Sequence, residues 1–185
     1  WWRRQVAYLP QEPLFLNLSL RDNVCAGLPL DEAAFATVID QADLRRYVDE
    51  SPQGADTLIP ENGRHLALGI RRRLALARAL ATTLVGSTTA GDDAAPVAPG
   101  GRLLVFDEPT EGLDPDGRAA VLSAMGRLAR AGHSLVVFTH DPRMIKGARY
   151  LLDLNIKPRP KVTGLPHAVA PAEADAPASD GGALP

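Results

Sequence analysis

Cysteine is all but missing from this 185-residue chain. The single one, Cys25, excludes an internal disulfide and a cysteine-based zinc site. Its simplest role is a small buried side chain. Charge of one sign is missing too. The net charge is −2, so no basic field points to nucleic acid, and nucleic acid is not an expected partner. No apolar run approaches the roughly 20 residues that a membrane-spanning helix needs. The chain opens Trp1-Trp2-Arg3-Arg4 without an initiator Met and without the apolar stretch of a signal peptide. That start predicts a chain that begins inside a larger one. From Lys157 onward prolines recur and Phe, Tyr and Trp are absent, which predicts a disordered tail over 157–185.

What the chain has is concentrated between Arg102 and Asp114, RLLVFDEPTEGLD, and in LVVFTH ending at His140. The apolar run Leu103 to Phe106 reads as a buried strand of the parallel kind, because both its faces are apolar. It runs straight into Asp107 and Glu108, followed by a proline. In open α/β sheets ligands sit at the carboxyl ends of such strands. Two acids at that place are poorly explained by packing and suit a Mg²⁺-nucleotide site. A lone Asp-Glu there is ordinarily a solvated strand end, and a lone His after a strand is ordinarily a surface residue. The case for chemistry rests on these features occurring together and in order.

Taken with their neighbours, these segments resemble ATP-binding cassette (ABC) ATPases. LLVFDEP resembles the Walker B strand and catalytic glutamate, EGLD (Glu111 to Asp114) the D-loop, and FTH (Phe138 to His140) the switch histidine. Upstream, VAYLPQEPLF (Val6 to Phe15) resembles the Q-loop. LRDNV (Leu20 to Val24) resembles the segment that follows it in exporters, and Glu61 to Leu80 the signature segment and its helix. The resemblance covers residues 5 to about 156. It implies an α/β fold: a partial P-loop NTPase (RecA-like) parallel sheet with an ABC helical subdomain.

The resemblance also implies roles. Asp107 belongs to the Mg²⁺ shell, Glu108 polarises the attacking water, and His140 registers the γ-phosphate of ATP. Gln11 contacts metal or water, and Asp114 reaches across a dimer interface. The signature itself departs from the family's LSGGQ, reading Leu66-Ala67-Leu68-Gly69-Ile70 here. Ala67 removes a hydroxyl, Leu68 puts bulk where glycine lets backbone approach phosphate, and only Gly69 keeps the pattern. This predicts a poor phosphate clamp. Also absent is any GxxxxGK[ST], the loop whose amides and lysine hold the β- and γ-phosphates. In the family its strand lies between those predicted at Ser134–Thr139 and Tyr150–Leu154. The chain thus resembles the C-terminal part of a nucleotide-binding domain.

Along the chain, the pattern predicts a strand over Gln5–Leu9 and helices over Asp31–Ala42, Leu66–Leu80 and Pro115–Arg130. It adds a short helix over Pro142–Ala148. The domain spans 1–156, with the helical subdomain at about 19–82. The stretch 82–101, rich in Gly, Ala, Thr and Pro, reads as an inserted loop. Arg71-Arg72-Arg73 reads as a solvated helix face with no separate function.

The function implied is the ATPase part of an ABC exporter at the cytoplasmic face of the inner membrane. Its partners would be a transmembrane domain, in the same chain or a separate subunit, and a second nucleotide-binding domain, heterodimeric if that partner carries an intact signature. YLLDLNIKPRPKV resembles exporters tied to type I secretion, and EGLD also resembles exporters of cytochrome bd assembly. The alternatives are a degenerate, catalytically inactive binding or regulatory module and a non-functional gene remnant.

Overall fold

The computed structural model describes residues 6–85 and 102–165, in two compact units divided between His140 and Asp141. In the first unit three parallel strands form a sheet in the order β1 (Val6–Leu9), β2 (Leu103–Asp107), β3 (Ser134–Phe138). The register sets Val6 and Ser134 on either side of Leu103. Strand β2 is central, which explains its unbroken apolar run: Leu104 and Phe106 are fully buried, and Leu103 and Val105 are half-buried.

Helix α1 (Leu20–Cys25) starts at Ser19, whose hydroxyl accepts from the Asp22 amide. Helix α2 (Glu32–Gln41) starts at Asp31, which accepts from the Ala34 amide at 2.7 Å. Helix α3 (Arg45–Glu50) follows. Helix α4 (Leu68–Val85) packs on β1, α1 and α2 through Leu74, Leu76, Ala77 and Leu80. Helix α5 (Pro115–Arg130) packs on β3 and α4, burying Val121, Ala124 and Leu128. Pro115 sits at its first turn, where no amide bond is lost, and Arg127 and Arg130 face its dipole's negative end.

The segment after β1 is held by a buried polar knot. Asn23 is 2% exposed; it accepts from the Leu16 amide at 2.8 Å and donates to the carbonyls of Leu16 and Ser19. Arg78 of α4 donates to the carbonyls of Asn23 and Leu14. Burial lowers the Arg78 pKa, so these acceptors take the place of water around its charge.

The second unit carries a short 3-10 turn over Pro142–Ile145 and an antiparallel pair, β4 (Tyr150–Asp153) with β5 (Lys161–Gly164). Three expectations are corrected here. Lys161–Gly164 pairs with Tyr150–Asp153 over its whole length. The tail predicted from 157 therefore contains a strand, and its part beyond 165 lies outside the described residues. The signature helix starts two residues later than predicted and continues through Val85, so it extends into the predicted inserted loop. The rest of that loop, 86–101, lies outside the described residues. Cys25 is only partly buried. Among the described residues no helix is long and apolar enough to cross a membrane.

Candidate functional site

Strand β2 delivers Asp107 and Glu108 to the carboxyl edge of the sheet. The Glu108 amide donates to the Phe138 carbonyl at 2.9 Å, extending the ladder by one bond. Its backbone then turns into the left-handed region, at φ 44°. That turn directs the carboxylate toward the end of β3. One oxygen of Glu108 accepts from the His140 amide at 3.0 Å and meets the ring Nδ1 at 2.8 Å. The other accepts from the Thr139 hydroxyl at 3.2 Å. With a carboxylate oxygen as its partner, the His140 Nδ1 is placed to donate. Glu108 is 17% exposed at its side chain and His140 78%, so the pair reaches from sheet to solvent.

Asp107 accepts from the Tyr8 hydroxyl of β1 at 3.3 Å. Partial burial first, and the Asp107 charge second, raise the Tyr8 pKa and keep it a donor. Gln11 does not point at Asp107. Its amide nitrogen donates to Glu111 at 2.9 Å. Among the described residues no three His, Cys, Asp or Glu side chains converge as a metal site. Magnesium ordinarily takes one or two carboxylates and fills its shell with water and phosphate oxygens. The Asp107 carboxylate fits an ion bound in that way.

The arginine run is not a solvated face, contrary to expectation. Arg71 donates to the Pro13 carbonyl at 3.2 Å. Arg72, 7% exposed, donates to the Glu108 carbonyl at 2.6 Å and to Glu111 at 3.0 Å. Arg73 bonds Asp114 at 2.7 Å and lies 3.3 Å from Asp43. Consecutive helical residues point about 100° apart, and here loops surround that end of α4, so each arginine finds its own acceptor. The Gln11 amide first, and Arg72 second, hold the Glu111 carboxyl below the ordinary glutamate range. The Gly117 amide first, and Arg73 second among its partners, do the same for Asp114. Asp114 is thus the N-cap of α5, accepting from Gly117 at 2.8 Å.

In the signature segment, Leu66 is buried, Ala67 precedes α4, and Leu68 opens that helix at 45% exposure. Gly112 has φ +69°, and a Cβ there would lie 2.6 Å from Leu68 Cδ2. The leucine covers the D-loop glycine. A Cβ on Gly69 would only touch Leu113, and Ile70 packs against the core. The structure thus joins Asp107, Glu108 and His140 at one edge. It ties Gln11 to Glu111 and sets the Leu68 side chain against Gly112. Sequence reasoning missed Tyr8, Arg72 and Glu111. Only the 39-residue separation hid the Arg72–Glu111 charge match.

No family model matches the chain. It is 36% identical over 135 residues to an ATP-dependent lipid A-core flippase of Polaromonas sp., covering 73% of this chain and 20% of that protein. It is 28% identical over 151 residues to the toxin RTX-I translocation ATP-binding protein of Actinobacillus pleuropneumoniae, covering 80% of this chain and 18% of that one. The fold matches a bacterial Atm1-family ABC exporter solved with ATP bound, at TM-score 0.65 and 24% identity, over 81% of this chain and 24% of that chain. The chain spans a quarter or less of the length of each. Matched in sequence to an ATP-dependent flippase and an ATP-binding translocation protein and in fold to an exporter, the chain belongs to the ATP-binding cassette transporters, as part of an ATP-binding domain of the exporter type.

Proposed function

We propose that this chain supplies the water-activating side of an ABC exporter's ATP site, coupling hydrolysis to transport across a membrane. The observation that carries the reading is Glu108: a carboxylate just past the central strand, oriented by Thr139 and by both the amide and the ring of His140. Phosphoryl transfer needs positioning and charge stabilisation more than covalent chemistry, and such an arrangement can supply both. Asp107 would hold Mg²⁺ brought with ATP, and Gln11 would join it after leaving Glu111. The ion would neutralise charge on the phosphates. The β- and γ-phosphates need a loop of the GxxxxGK[ST] type, which this sequence does not contain.

A transmembrane partner is supported by an exposed apolar patch. Leu14, Leu16 and Leu58 are 64–75% exposed, and the Ser19–Leu58 bridge brings Leu58 beside Leu18. Location at the cytoplasmic face of the inner membrane follows from that partner. Likeness to a toxin translocation protein supports type I protein secretion as the transport task. In a head-to-tail pair with a second ATP-binding domain, a partner with an intact signature would complete the site built on Glu108. The second reading is a regulatory module without turnover, favoured by the Leu68 side chain that lies against Gly112 in the signature segment.

Glu108→Gln in the assembled transporter decides between them. Turnover should fall by about 10²–10⁴-fold while ATP binding survives. Turnover that is absent from the unmodified assembly, or indifferent to the substitution, would favour the regulatory reading.

A further inference from the structure

Arg72 and Glu111 lie in the signature helix and the D-loop, yet neither has the role of a site residue in the reading above. Both touch residues that do. Arg72 is almost wholly buried, and its Nε has no hydrogen-bond partner in the structure. A guanidinium removed from water is costly unless acceptors replace the lost hydration. Two acceptors do so here. One is the carbonyl of Glu108, whose own φ lies in the left-handed region; the other is the Glu111 carboxylate. That same Glu111 oxygen accepts from Gln11 at 2.9 Å. A single chain of contacts therefore runs from helix α4, through the D-loop, to the Q-loop, with a branch to the backbone of the water-activating residue. The bond on the Glu108 carbonyl favours the strained turn that directs the carboxylate to His140.

We propose that Arg72 is a positioning residue, which through Glu111 holds Gln11 in a docked place and through the Glu108 carbonyl fixes the turn that aims the Glu108 carboxylate. The catalytic part of this inference rests on the proposed function. The clamp itself does not, because it consists of contacts within this chain. Lysine is a poor substitute in such a role, since one ammonium lacks the planar fork that reaches two acceptors in fixed directions.

The test has two arms. In the 185-residue chain, nuclear spin relaxation reads the order of the Gln11 side-chain amide. The order parameter should be high in the unmodified chain and fall below about 0.6 in Arg72→Gln and in Glu111→Ala. Arg72→Lys should give an intermediate value, and Arg46→Gln, at a surface ion pair with Glu50, should change nothing. Helical circular dichroism separates local release from unfolding. In the assembled transporter, Arg72→Gln should lower kcat about tenfold, the scale of one lost hydrogen bond to a charged group, with KM for ATP unchanged. Arg72→Lys should recover part of that loss.

A Gln11 amide that stays ordered in folded Arg72→Gln overturns the clamp. Loosened Gln11 with unchanged kcat overturns the positioning role. A rise in KM at constant kcat overturns it as well, since that marks uniform binding. Turnover indifferent to Glu108→Gln would instead sink the hydrolytic reading, and the first arm would still decide the clamp.

Discussion

A single side chain can hold a loop when it is buried and fully used, and Asn23 shows this more plainly than the acids at the sheet edge. Its amide meets the backbone of Leu16 in both directions, the Ser19 carbonyl, and the Arg78 guanidinium at 3.3 Å. Alanine at this place would leave the Leu16 amide and two carbonyls to water that has little access. We expect Asn23→Ala to destabilise the chain by about 2–3 kcal/mol, because unpaired buried polar groups carry their full desolvation penalty. Urea unfolding followed by circular dichroism checks it, and a loss under about 0.5 kcal/mol would mean that water replaces the amide. The function of this knot is indirect. It shapes the segment carrying exposed Leu14 and Leu16, on which the proposed membrane partner depends.

At the scale of elements, the start of α4 and the D-loop fit each other by size. Leu68 stands where glycine belongs in the resembled signature, and Gly112 offers the space it occupies. A Cβ at 112 would lie closer to Leu68 than carbon atoms approach, and φ +69° would strain it further. Gly112→Ala should therefore destabilise by about 1–3 kcal/mol, the range for overpacking plus a left-handed residue. In a Leu68→Ala background the same change should be milder, leaving only the backbone strain. A double-mutant cycle measures that coupling. Equal penalties in both backgrounds would show that Leu68 does not fill the space above Gly112. This packing is in keeping with the weak phosphate clamp expected from the sequence of this segment. Leu68 sets a bulky apolar side chain against Gly112 where anion binding favours open backbone.

For the molecule as a whole, the three-stranded sheet stops at β3, and among the described residues no strand pairs with its second edge. Val136 and Phe138 on that strand are 43% and 49% exposed. A parallel strand apolar at alternate positions and unpaired on one side is a template for another chain. The isolated chain should bind an apolar dye and self-associate with rising concentration. Val136→Lys should reduce both, since a charge on an edge disfavours pairing. Sedimentation velocity with a dye titration checks it. A monomer at all concentrations with no dye binding would show that this edge is covered.

The sequence by itself determined what local chemistry dictates. The run Leu103 to Phe106 reads as a buried strand, Asp31 and Asp114 are cap-forming residue types just ahead of helical patterns, and the order of motifs placed Asp107, Glu108 and His140 at one sheet edge. These follow from periodicity, side-chain capping and the geometry of parallel sheets, all of which act over a few residues. What only the tertiary structure decided depends on partners distant along the chain. Arg72 lies 39 residues from Glu111, and Gln11 lies 100 from it. A run of three arginines looks like a wet helix face until loops close over it. Likewise Leu68 and Gly112 fit only because a turn and a helix start meet in space, and the partner of Tyr150–Asp153 is Lys161–Gly164, which no local pattern named. Charge pairing, size matching and strand choice are properties of contacts, and contacts exist only once the chain has folded.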